Sequence, residues 1–263
     1  MIYFCIPTRD EAPTIGLVLW KIRRLLEDTP REYQLLVGDD ASTDATAEVL
    51  APYLKVLPLT VFRSDRPLGY AATVERLLRE ALKQSDRHKR DAAILLPADF
   101  SVDLATLPEF LKRLDSGADV VIGETDQIGE TDRWRRQVRR WAGRLLGRSV
   151  RISGVRDNVS GYAAYRLVAL RNAFRDRTGS WLHAEGWAAN AELHAWAAAG
   201  ARRVEVVPAT ERHDRRERSS RHEPWTRAKA LWAARKVLVA PPLAPPGNPA
   251  DRSPRATAAK EAA

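Results

Sequence analysis

Over its first 130 residues the sequence alternates short apolar runs with longer stretches of helical periodicity. Residues 2–7, 33–39, 55–62, 92–96 and 119–122 read as strands, and 14–27, 43–53, 69–84 and 104–116 as helices. Nearly continuous apolar strands need cover on both sides, and the intervening helices can supply it. The pattern therefore predicts an α/β fold built on a doubly wound, mostly parallel sheet. The first helix shows its period plainly, with Ile15, Leu19, Ile22 and Leu26 on one face and Lys21, Arg24 and Asp28 off it.

After residue 130 the pattern changes to Arg/Trp-rich helices, a loop and strand at 153–165, a helix near 184–199, a strand near 202–207 and a last helix near 225–239. From Pro241 onward Pro, Ala and charged residues dominate, which predicts a disordered tail over 241–263. The reading is one domain over 1–240, with a first half at 1–130 and a second at 131–240. The halves differ in charge: residues 1–130 hold 16 Lys and Arg against 22 Asp and Glu, and residues 131–263 hold 27 against 12. An acidic half and a basic half imply different partners, the basic one anionic. No apolar run approaches the roughly 18 residues that span a bilayer. The N-terminal MIYFCIPTRDE lacks the basic region of a signal peptide. Cys5 is the one cysteine of the chain, which excludes a disulfide framework and a Cys/His zinc cluster and fits a reducing cytoplasm.

In an open parallel sheet, ligands bind beyond the carboxyl ends of the strands. Three acidic stretches fall there: residues 6–11 (IPTRDE), 38–40 (GDD) and 97–99 (PAD). Their carboxylates can accept hydrogen bonds from a base or ribose, or hold a cation beside a diphosphate. Neither GxGxxG nor GxxxxGK[ST] occurs, so no glycine loop for phosphate is present. Ser42 and Asp44 read equally well as caps and turn formers for the helix at 43–53.

The segments IPTRDEAPTI, LLVGDDASTDATAEVL, LLPADFSVD, GADVVIGE, DNVSGYAAYRLVAL and GARRVEVVPAT resemble, in order, the motifs of inverting family 2 glycosyltransferases with the Rossmann-like GT-A fold. The branch they resemble most is the dolichol- or polyprenyl-phosphate sugar synthases. The resemblance places Pro7, Thr8, Asp10, Glu11, Asp39, Asp40, Leu68, Gly69 and Ala98 around a donor nucleotide. Asp99 matches the last acid of a metal-binding Asp-x-Asp, implying Mg²⁺ or Mn²⁺. Ser160, Gly161 and Arg166 resemble the loop beneath the acceptor, with Arg140 and Arg144 assigned to the same partner. Arg215, Ser220 and Arg221 resemble a late basic stretch over the phosphates. Asp99, Arg166 and Arg215 would thus be the catalytic group. Pro97 stands where the first acid of Asp-x-Asp is expected and cannot ligate a metal.

Residues 131–151 hold eight Arg and one Asp, while Trp134, Val138, Trp141 and Leu145 recur at helical spacing. A second such stripe is Trp225, Ala228, Trp232 and Val239, interleaved with Arg227, Lys229, Arg235 and Lys236. These helices suit an anionic membrane surface, and equally suit packing against the sheet with the cations solvated. No nucleic-acid module accompanies them. The QxxRW match at 137–141 and the sequon at 158–160 have no supporting context. A lipid phosphate is already ionised and needs cations rather than a base to receive a sugar, and the clustered Arg fit that acceptor. The expectation is a peripheral, cytoplasmic-face transferase acting on a polyprenyl phosphate. Its alternatives are a hydroxyl acceptor and a protein, disabled at Pro97, that only binds sugar nucleotides.

Overall fold

Strand β1 (Ile2–Thr8) sends Ile2, Phe4 and Ile6 to one side of the sheet and Tyr3 and Cys5 to the other, and all five are buried. That alternation puts one core on each face of the sheet. The computed structural model describes residues 1–27, 29, 31–128, 133–147, 150–212 and 224–241. In the first core, β1 packs against α1 (Ala12–Glu27), β2 (Tyr33–Asp39) and α4 (Leu107–Asp115), whose Phe110 and Leu114 are buried. In the second it packs against α3 (Tyr70–Gln84), α6 (Leu167–Phe174) and α7 (Trp187–Ala199).

The remaining elements are α2 (Thr46–Leu50), β3 (Leu59–Arg63), β4 (Ala92–Leu95), β5 (Val120–Ile128), α5 (Arg133–Leu146), β6 (Ala163–Arg166), β7 (Val204–Arg212) and α8 (Pro224–Ala234). One seven-stranded sheet results, in the order β3-β2-β1-β4-β6-β5-β7. Only β6 runs against its neighbours β4 and β5; every other pairing is parallel. The doubly wound α/β expectation is met.

Local departures have local causes. The strand expected at 55–62 starts at Leu59, because residues 53–55 form a 3-10 turn between Pro52 and Pro58. The helix expected at 43–53 shrinks to Thr46–Leu50, since the residues before it are spent on a turn. Helix α6 was not expected, for it follows β6 without a polar connection. The last helix ends at Ala234, short of 239.

The faces of α5 and α8 also differ from the expected stripes. On α5, Arg139, Ala142 and Leu146 are buried and Trp141 is 49% exposed. On α8, Leu231 and Ala234 are buried and Trp232 is 61% exposed. Ala142 and Leu146 share a cluster with Ala184, Ala188, Ala191 and Ala195 in and just before α7 and with Leu231 and Ala234 of α8, the helix against which α5 packs. No helix among the described residues is long and apolar enough to cross a membrane.

Candidate active site

β2, β1 and β4 are adjacent and parallel, so their carboxyl ends open side by side. Beyond each end the backbone enters the left-handed region at a residue with a side chain: Asp10 at φ 51°, Ala41 at φ 53° and Phe100 at φ 53°. Such a conformation costs about 1–2 kcal/mol per residue and persists where the surroundings impose it. Among the described residues no other non-glycine has positive φ, so this strain collects in the three loops of one sheet end.

The first two loops clasp each other. The Asp10 carboxylate accepts from Thr43 N and Oγ1 at 2.7 and 3.1 Å, and Asp10 N donates to Ser42 Oγ at 2.8 Å. Glu11 N donates to Thr46 Oγ1 at 3.0 Å and Ala12 N to Asp44 Oδ2 at 3.1 Å. Burial pushes the Asp44 carboxyl up, but the bonds from Thr46 and Ala12 outweigh it and hold it below its ordinary range. Asp44 thus secures the start of α1, whereas the helix for which a cap was expected, α2, has Ala45 as its N-cap and no side-chain cap bond.

Asp39 is 1% exposed and lies beside Thr8 in the strand register. Its Oδ1 accepts from Ser42 N at 2.9 Å. Its Oδ2 has no hydrogen-bond partner, the Arg63 Nε standing 3.6 Å away as an ion pair only. A buried carboxylate oxygen without a donor is costly, and a ligand N–H removes that cost. Asp40 does different work: it accepts from Leu68 N at 2.6 Å and Gly69 N at 3.1 Å and so fixes that loop. Gly69 has φ 96°, and a Cβ there would stand 2.7 Å from Glu185 Oε1.

Beyond β4, Asp99 Oδ1 accepts from Ser101 N at 3.1 Å and from Ser101 Oγ, and Ala98 is buried. Pro7 pairs in register with Gly38, and Thr8 Oγ1 donates to Ile6 O at 3.2 Å. Ser160 is fully buried, its Oγ accepting from Tyr162 N at 3.2 Å. Gly161 lies next to Asn190 and Tyr70.

A profile of glycosyl transferase family 2 matches residues 3–174. The chain belongs to that family. A dolichol-phosphate mannosyltransferase of Pyrococcus furiosus is 26% identical over 167 residues, which are 61% of this chain and 45% of that protein. The chain therefore spans less than half of that curated relative. In fold it is similar to mannosyl-3-phosphoglycerate synthase of Rubrobacter xylanophilus (TM-score 0.64, 16% identity, 90% of this chain and 72% of the other). It is also similar to S. aureus TarS in complex with UDP-GlcNAc (TM-score 0.59, 17%, 84% and 60%). A third is glucosyl-3-phosphoglycerate synthase of Mycobacterium tuberculosis with Mn²⁺, UDP-glucose and phosphoglyceric acid (TM-score 0.57, 18%, 89% and 79%). The GT-A expectation holds for the fold.

Within this family 2 transferase one expected catalytic residue is corrected. Arg166 pairs in register with Ala92, at the amino end of β4 and the far edge of the sheet from Asp99. Its guanidinium bonds the carbonyls of Leu114, Ala118, Lys89 and Arg90 and pairs with Asp119 at 3.5 Å. It ties elements together at the end of β4 opposite Asp99. Arg144 is exposed over Trp141, with 4.7 Å from its Cζ to the ring centroid. Arg140 is described as a backbone position of α5, and Arg215, Ser220 and Arg221 lie outside the described residues.

Three residues of the site were missed. Tyr70 opens α3, Asn190 lies on α7, and Glu185 Oε2 accepts from Ala71 N at 3.2 Å. The charges of Asp99 and Glu185 both act on Tyr70. A Glu-Gly pair before a helix was the available signal for Glu185. No group of three or more His, Cys, Asp or Glu able to hold a metal exists among the described residues. With Pro97 contributing no oxygen ligand from its side chain, the donor set is the Asp99 carboxylate, which fits a divalent cation only alongside phosphate oxygens of a donor.

Proposed function

We propose that this glycosyltransferase moves one sugar from a nucleoside diphosphate sugar to a polyprenyl phosphate, as a peripheral protein at the cytoplasmic face of a membrane. The observation that carries the donor half is Asp39 Oδ2, buried at a strand end without a hydrogen-bond donor. Uracil and guanine both present a ring N–H that satisfies such an oxygen. The acceptor half is supported by the dolichol-phosphate mannosyltransferase relative and by the exposed cations of the second half.

The reaction is a single displacement. A phosphate oxygen of the acceptor forms its bond to the anomeric carbon as the bond to the nucleoside diphosphate breaks, inverting that carbon. The acceptor is already anionic, so no side chain has to remove a proton. Asp40 keeps Leu68 and Gly69 in place, and the clasped loops hold Asp39 toward the base. Mg²⁺ or Mn²⁺ held by Asp99 and the donor phosphates would neutralise the leaving diphosphate.

A second reading, transfer to a hydroxyl, is favoured by Glu185, an exposed carboxylate beside Gly69 that could take the proton a hydroxyl must lose. The purified chain is to be incubated with UDP- and GDP-sugars, with polyprenyl phosphate or with soluble glycan and phosphoglycerate acceptors. Sugar on the lipid supports the first reading and sugar on a hydroxyl the second. Nucleotide binding without transfer to any acceptor refutes both and leaves a binding protein.

A further inference from the structure

Two loops of the site are joined through one buried side chain. Tyr70 directly follows Leu68 and Gly69, the amides that Asp40 holds. Its Oη donates to Asn190 Oδ1 at 2.8 Å, and Asn190 Nδ2 donates to Val159 O at 3.2 Å. The carbonyl can only accept and the amide oxygen can only accept, so the direction of both bonds is fixed. Asn190 is 4% exposed. Burial, only partly offset by the bond to Asn190, pushes the Tyr70 phenol well above its ordinary range and keeps it a donor. Gly161 lies over the bridge: a Cβ there would be 3.6 Å from Asn190 Nδ2 and 3.9 Å from Tyr70 Oη.

The loop at 157–161 has further anchors. Asp157 accepts from Arg139, Asn158 Nδ2 donates to Val150 O at 3.2 Å, and Ser160 O accepts from His194 Nε2 at 3.0 Å. Those anchors run to α5, to the segment before the loop and to α7. Among the described residues, the Asn190 bridge is the anchor that leads to the loop at 68–69. We propose that Tyr70 and Asn190 are positioning residues coupling the donor loop at 68–69 to the acceptor loop at 157–161, so that a bound nucleotide sets the geometry in which the acceptor is received. The inference rests on the donor reading given above. It is a two-bond connection whose ends sit in different binding sites, the physical form that a coupling free energy requires.

Two variants cut the bridge at different bonds. Tyr70→Phe deletes the hydroxyl, while Asn190→Asp keeps the oxygen facing Tyr70 and removes the donor to Val159 O. Hydrogen exchange of the full chain is to be followed with and without UDP or GDP in the presence of Mn²⁺. In the parent, the nucleotide should slow exchange at 68–71 and at 157–161. In each variant the effect at 68–71 should persist while the nucleotide-dependent slowing at 157–161 falls by about fivefold or more. The double variant should lose no more than either single one, since both cut the same connection.

The readout is the change that nucleotide induces, which a bond serving only stability would not move. If Asn190→Asp does not fold, Tyr70→Phe decides alone, since it removes one hydroxyl. The coupling is refuted if nucleotide slows 68–71 but not 157–161 in the parent, if the variants respond like the parent, or if the two losses add. Binding of neither nucleotide refutes the donor reading, and the coupling falls with it.

Discussion

Arg139 of α5 donates from both Nε and Nη2 to a single oxygen of Asp157, at 3.0 and 2.8 Å, with both residues buried. The sequence left the Arg of 131–151 either facing an anionic surface or solvated, and the structure makes Arg139 a buried tie between α5 and the loop before Ser160. Removing one partner of a buried pair costs about 3–5 kcal/mol, because the other charge stays buried. Arg139→Gln should therefore lower unfolding stability by about 3 kcal/mol in a urea titration, while exposed Arg144→Gln should stay within about 0.5 kcal/mol. Equal losses in the two variants would refute the assignment.

The surface cations answer to a different measurement. Replacing Arg144, Lys229 and Lys236 by Gln should weaken association with vesicles containing anionic lipid by about fivefold per charge. Neutral vesicles should bind parent and variant alike. Vesicle flotation that shows no dependence on lipid charge removes the membrane surface as a partner.

Asp39→Ala deletes the oxygen that has no donor of its own. Its loss should weaken UDP or GDP binding by about 1–3 kcal/mol in calorimetry, the scale of a hydrogen bond to a charged group. In the fold, the variant loses the bond from Ser42 N and the ion pair with Arg63. Unchanged nucleotide affinity in a folded variant excludes Asp39 from the base pocket.

Metal affinity should be low in the free protein and higher with nucleoside diphosphate present, since Asp99 supplies one carboxylate and the phosphates the rest. Pro97→Asp should raise Mn²⁺ affinity in a calorimetric titration. Asp99→Asn should abolish sugar transfer with the fold intact. Full transfer in Asp99→Asn, or in the parent with a chelator, would eliminate the cation from the reaction.

His194 is fully buried, with Nε2 donating to Ser160 O and Nδ1 accepting from Tyr165 Oη at 2.7 Å. Burial holds its imidazole down at about 4, against the opposing effects of the Ser160 bond and the Asp157 charge. With an ordinary value of 6.5, the unfolded chain takes up the proton first as pH falls. The stability contribution is complete above 6.5 and is lost on descending toward 4, by roughly 3 kcal/mol. Urea titrations at neutral and acidic pH should show that loss shrink in His194→Gln. An identical pH slope in the variant would refute it.

The sheet and its acidic strand ends were legible because they are local: a run such as LLVGDD shows both the strand and where it stops. Arg166 was misplaced because SGYAAYR gives a loop and a strand but no direction. β6 runs away from the site, so Arg166 finishes at the opposite edge. On α5 the period was legible and the packed face was not, since α8, distant in the chain, packs against it and shares the cluster that buries Ala142 while Trp141 stays exposed. Tyr70 and Asn190 stand 120 residues apart, and no local pattern announces that they meet.

The clasp between the first two loops has a consequence for how this pocket can change by inheritance or by engineering. Asp10 fits the backbone of Thr43, while Ser42, Asp44 and Thr46 receive the amides of Asp10, Ala12 and Glu11. A loop borrowed from a relative with another base preference arrives without its counterpart, and leaves those amides unmatched. The stretch from 8 to 46 is therefore a cassette: its two loops are exchanged together or not at all, and helix α1 travels with them as the spacer between matched halves of a buckle.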